Sequence, residues 1–164
     1  MSMIQDFTKA YDFARSRTLA LLDAVEKEPD PAAALRWRPG SGRANVGWQL
    51  MHIAVSEEIF ATERLAPHKQ GQWQELWPRY RGGSTPDDDV PSPAEIREKL
   101  AESHRHMLET LSEYSDQRLD EIPEAFRQRG WNVRTVLHLI AWHEAHHQGQ
   151  AHLTLNLYRA TLQR

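Results

Sequence analysis

The fold is decided by residues 131–159, WNVRTVLHLIAWHEAHHQGQAHLTLNLYR, with the run Ala141-Trp142-His143-Glu144-Ala145-His146-His147-Gln148-Gly149-Gln150 at their centre. Arg129-Gly130 breaks the preceding segment, and Asn132 is placed to cap a new helix. No proline interrupts the rest of the chain, so the stretch is predicted as one long terminal helix. At about 100° per residue, Val136, Ile140, His143, His147, Gln150, Ala151, Thr154 and Tyr158 share one face. Arg134, His138, Ala145, Gln148, His152, Asn156 and Arg159 share the opposite one. The inward face thus starts apolar, ends mixed, and carries two imidazoles four residues apart. Side chains at that spacing are neighbours, and two imidazoles so placed form a chelating half-site for one metal ion. A third ligand has to come from another helix.

The chain has 164 residues, enough for one domain, 1–164, with a full-sized core. Forty per cent apolar and 26% charged residues describe an ordinary globular protein. A net charge of −3 and a pI of about 6.3 leave no broad basic surface for nucleic acid or an anionic membrane. There is no cysteine, which removes disulfides, thiolate nucleophiles and Cys-type zinc sites together and permits a cytoplasmic location. Asp6, Lys9, Asp12 and Arg15 interrupt the N-terminal segment, so neither a signal core nor a membrane span is expected there.

Working outward, Ile4, Phe7, Tyr11, Ala14, Leu21 or Leu22 and Val25 recur at helical spacing and predict a first helix from Ile4 to Lys27. Pro29-Asp30-Pro31 ends it, and a linker runs to about Ala44, with Arg36 and Arg38 read as solvated charges. A second helix is predicted from its cap Asn45 to Arg64, with Trp48, His52, Val55 and Ile59 inward. His52, alone, reads as a core histidine satisfied by a hydrogen bond. Beside a helix that presents His143 and His147 inward, it reads as the third ligand of a tri-histidine site with a position left for water or substrate.

Residues 65–91 form a long connection in which Trp73, Trp77 and Tyr80 are expected to seal the bundle, and Asp87-Asp88-Asp89 to be solvated. Ser92-Pro93-Ala94-Glu95 is a capping box that opens a third helix with Ile96, Leu100, Ser103, Met107, Leu111 and Tyr114 inward. His104 and His106 fall beside that stripe, at the surface or its boundary. Four long helices and no strand pattern predict an all-α four-helix bundle.

His143-Glu144-Ala145-His146-His147 also matches the zinc-protease pattern H-E-x-x-H. The context that motif needs is missing: Gln150 and Leu153 stand where glycine and histidine are required, and no acidic residue follows Glu144. Around the helix, Glu144 lies about 100° from His143, which makes it a weak general base and a better structural partner. His146, about 60° to the other side, is an alternative ligand or a pocket acid–base.

The segments Trp48-Gln49-Leu50-Met51-His52-Ile53-Ala54 and His143-x-x-x-His147-Gln148-Gly149-Gln150 resemble the DinB-like (YfiT-like) metal-binding four-helix bundles, and the resemblance runs loosely over most of the chain. It implies an up-down-down-up bundle, often dimeric, with His52, His143 and His147 binding one divalent metal, usually zinc or nickel. It also implies a small-molecule substrate. Some relatives transfer a low-molecular-weight thiol, which would then be a cosubstrate. Relatives often carry a basic residue where this chain has Gln148, a departure on the outward face that weakens any transfer of substrate specificity. The expected function is a metal-dependent enzyme that activates a thiol or water, foremost a thiol S-transferase. The alternatives are a metal-dependent hydrolase and a non-catalytic, stress-related metal-binding bundle.

Overall fold

The computed structural model describes residues 2–163. Among the described residues there are six α-helices: α1 (Met3–Glu26), α2 (Pro31–Arg36), α3 (Val46–Ile59), α4 (Trp77–Tyr80), α5 (Pro93–Leu111) and α6 (Val133–Leu162). The long ones, α1, α3, α5 and α6, are the bundle predicted from periodicity. Their starts are set by side chains that accept otherwise unpaired backbone N–H groups: Asn45 from Trp48, Asn132 from Thr135, and Ser92 from Glu95 in a capping box. Ser2 opens α1 with a second capping box, through Gln5. The expected second helix does reach Arg64, but its last turn, Phe60–Arg64, is a π-helix.

Cross-helix contacts fix the directions. Arg15 meets Glu144 and Glu28 meets Arg159, so α1 and α6 run parallel. Glu57 meets Ser103 and Ala61 meets Thr110, so α3 and α5 run parallel too. Asp12 meets His104 while Arg97 meets Asp23, and Gln49 meets Gln150 while His52 meets His143, so both pairs between these two sets are antiparallel. The order is up-down-down-up. Parallel neighbours cannot be joined by a tight turn, which is why the connection from α3 to α5 has to be long.

Helix α3 packs on both α5 and α6 and is covered outside by α2 and α4, so its residues from Val46 to Glu58 are all buried. Trp77 and Tyr80 seal that side, and Trp48 donates its indole N–H to the Arg79 carbonyl. Gly47 is required here, because a Cβ would lie 1.9 Å from a methyl of Val90. The aspartate run is not simply solvated. Asp87 and Asp89 pair with Arg79 and Asp88 with Arg38, which staples the connection onto the bundle and gives Arg38 a partner. Arg36 donates to a carbonyl of its own short helix. No helix among the described residues is long and apolar enough to cross a membrane.

Two buried polar clusters interrupt the core. In the first, the Arg15 guanidinium bridges Glu57 (2.7 Å) and Glu144 (2.8 Å), with Tyr11, Thr18 and Ser103 donating to the same carboxylates. Burial pushes the Glu57 carboxyl up to about 8, against the opposing effect of His104, and the Glu144 charge adds to the rise. Two carboxylates share one guanidinium here, and His104 stands 3.3 Å from Glu57 as a further partner. In the second cluster, His106 donates to Glu58 at 2.9 Å, and Glu58 also accepts from the Gln72 backbone. His106 is therefore buried, against the sequence expectation, because α3 offers it a buried carboxylate.

Candidate metal centre

Helix α3 supplies His52 and α6 supplies His143 and His147, one turn apart. Antiparallel packing of the two helices brings the three imidazoles together, so that one ring nitrogen from each lies within 4.8 Å of the others. His52 and His143 stand Nε2 to Nε2 at 3.1 Å. Donors of a tetrahedral ion at about 2.0–2.1 Å stand about 3.3 Å apart, so this pair is near that spacing.

Two tautomers are set by the surroundings. A carbonyl can only accept, so His52 Nδ1–H donates to the Tyr80 carbonyl (2.5 Å), and Nε2 presents its lone pair to the other two histidines, where it accepts from His143 Nε2–H. The ring is further clamped by Trp48, stacked at 4.7 Å between centroids. His147 Nδ1 meets the Gln49 side-chain oxygen at 2.6 Å, and the Gln49 amide in turn donates to Gln150 (2.9 Å). Behind His143, a cavity of about 10 Å³ is lined by Glu57, Glu144 and Tyr11.

All three ligand candidates resist protonation. Burial is the main cause for each: it lowers His52, outweighing the Tyr80 hydrogen bond, and takes His143 to about 4 and His147 to about 3, with the neighbouring imidazoles adding to the last two. Three neutral imidazoles, each with a ring nitrogen turned to a common centre, are a donor set that fits a divalent cation. In the metal-free protein these values lie below the usual 6.5, so the folded state binds fewer protons than the unfolded chain. The associated stability is therefore present above 6.5 and is lost as pH falls through about 4 and then about 3. NMR should find the His143 and His147 rings neutral from about pH 8 down to about pH 5. Ordinary titration midpoints near 6.5 would refute the burial account.

His146 lies outside the triad. It is exposed, stacks on Trp142 at 4.8 Å and accepts from Gln150 at 2.7 Å. Glu144 turns into the bundle, where Arg15 and Thr18 occupy its carboxylate. Gln49 and the Tyr80 carbonyl were not read from the sequence. Gln49 had a signal, being one turn before His52 on an inward face, whereas a main-chain carbonyl has none. Gln49→Ala should weaken metal binding about 10- to 100-fold in a chelator competition, with the fold intact. An affinity within about twofold of wild type would show that Gln49 does not orient His147.

An up-down-down-up bundle with a tri-histidine cluster between its second and last long helices defines the class. The chain belongs to the DinB superfamily, whose family model matches residues 10–151. No curated protein matches the chain. Among solved structures, a conserved protein from Enterococcus faecalis shares the fold, with a TM-score of 0.71 at 17% identity, covering 96% of this chain and 97% of that one.

Proposed function

We propose that this protein is a divalent-metal-dependent enzyme, with zinc or nickel held by His52, His143 and His147, that transfers a low-molecular-weight thiol to a small electrophile. The observation that carries the reading is the convergence of three neutral imidazoles, two of them with Nδ1 already engaged, at a site that is only partly covered. His143 and His147 are half-buried, so the centre is not sealed inside the core. An ion held by three neutral ligands keeps its full positive charge and lowers the pKa of a bound thiol or water to near neutrality.

The chain's own contribution is to hold the imidazoles in one tautomer and one place. Tyr80 and Gln49 supply that positioning, and Trp48 excludes water from one side of His52. In the transfer, the sulfur forms a bond to the electrophilic carbon, the thiol proton goes to solvent, and the leaving group departs with its electron pair. The test is an assay of metal-loaded protein with glutathione and other small thiols against chloro- and epoxide-type electrophiles. Metal-dependent conjugation that disappears in His147→Ala is the expected result. Metal-dependent ester or amide hydrolysis without thiol would replace the transferase with a hydrolase. Tight metal binding with no turnover and no exchange of small ligands would leave a binding module.

A further inference from the structure

Beside the tri-histidine cluster, a cleft of about 270 Å³ is lined by Ser56, Leu139, Glu63, Arg64, Arg81 and Arg129, among others. Its lining takes Ser56 from α3 and Leu139 from α6, the two helices that carry the histidines. Ser56 lies one turn beyond His52, with its hydroxyl 3.5 Å from His52 Nδ1, and Leu139 lies one turn before His143. Arg81 directly follows Tyr80, whose carbonyl orients His52.

The charge in this cleft is one-sided. Elsewhere, Arg79, Arg97, Arg118, Arg127 and Arg159 each pair with a carboxylate. No carboxylate lies within ion-pair distance of Arg64, Arg81 or Arg129 among the described residues. Glu63 is the one acidic residue in the cleft lining among the described residues, so three guanidiniums face one carboxylate on a protein whose net charge is −3. Two of them are held in place by aromatic rings: Arg64 lies 5.9 Å over Phe126 and Arg129 lies 4.9 Å over Trp131, and these rings stack on each other. Side chains held this way lose little rotamer freedom when they bind. A guanidinium presents paired N–H donors that match an oxyanion.

We propose that this cleft is an oxyanion-binding subsite in which Arg64, Arg81 and Arg129 hold a carboxylate or phosphate group of the molecule that reaches the metal centre. The substrate class is therefore a small anionic molecule, with its reactive end toward His52 and His143 and its charged end toward the arginines. The subsite stands on its own geometry; that its occupant is the reactant rests on the metal-dependent reading above.

The test is calorimetric binding of succinate, its uncharged analogue succinamide, and inorganic phosphate. The proteins are wild type, metal-stripped wild type and the Arg81→Ala/Arg129→Ala variant, whose two sites are exposed and outside the core. The expected result is binding of succinate or phosphate but not succinamide, retained without metal and weakened about tenfold or more in the variant. Preference for succinate assigns the subsite to carboxylates, and preference for phosphate assigns it to phosphate esters. Absence of binding by both anions would overturn it, as would binding that needs metal but ignores the arginines. A protein that takes up no metal yet binds the anion through the arginines would keep the subsite and remove the metal-dependent reading.

Discussion

Arg15→Ala should destabilise the protein by about 3–5 kcal/mol, because it strips the guanidinium from two buried carboxylates. Arg15 is 4% exposed, and its ion pairs to Glu57 and Glu144 have 3% of the carboxylate side chains accessible. Screening by water is therefore slight, and the loss is the cost of uncompensated buried charge rather than the modest value of a surface pair. The same guanidinium donates to the Leu100 carbonyl, so α1, α3, α5 and α6 are all tied through one side chain. At about 2–4 °C per kcal/mol, the melting temperature should fall by roughly 6–20 °C. Arg97→Ala, which removes exposed pairs to Asp23 and Glu26, is the control and should cost at most about 1 kcal/mol. If the two variants lose the same small amount in chemical denaturation, the buried cluster is not a structural keystone.

Metal removal should also lower stability. An ion that binds the folded state and not the unfolded chain adds about 2.7 kcal/mol at 100 times its dissociation constant and about 4.1 kcal/mol at 1,000 times. His52 lies in the middle of α3, the most enclosed helix, while His143 and His147 lie on α6, so the ion would cross-link two helices whose other contacts are mainly apolar. Stripping the protein with a chelator should therefore lower its melting temperature, and restoring one equivalent should bring it back. An unchanged melting temperature, alongside proven tight binding, would mean that the metal also binds the unfolded chain. His147→Ala should melt like the stripped protein and should not respond to added metal.

Much of this fold is legible in the chain because its signals are local. Asn45, Ser92 and Asn132 mark helix starts within one turn, and the apolar period of α1, α5 and α6 shows which face turns inward. The tri-histidine cluster is legible for a similar reason: His143 and His147 sit at i, i+4, and His52 is the only imidazole of a helix that is apolar on nearly every side. What the sequence does not show is the partner of a buried charge. Arg15, Glu57 and Glu144 are far apart in the chain and meet only once three helices are assembled, so nothing local pairs them. His106 is misplaced to the surface or its boundary because nothing local says that Glu58 faces it across the bundle. Asp88 finds Arg38 only after the long connection has folded back. The π-turn at the end of α3 has no sequence mark comparable to a cap.

The central claim is that His52, His143 and His147 hold one divalent ion. Its most direct test is elemental analysis of tag-free protein purified without added metal, beside His147→Ala and His152→Ala. His152 is exposed on α6 and outside the triad, so it controls for loss of a helical imidazole. About one equivalent of zinc, nickel or another divalent ion in wild type and His152→Ala, with none in His147→Ala, is the predicted result. Equal metal content in all three proteins, or a wild type that neither carries nor takes up a divalent ion, would return the three histidines to a structural role.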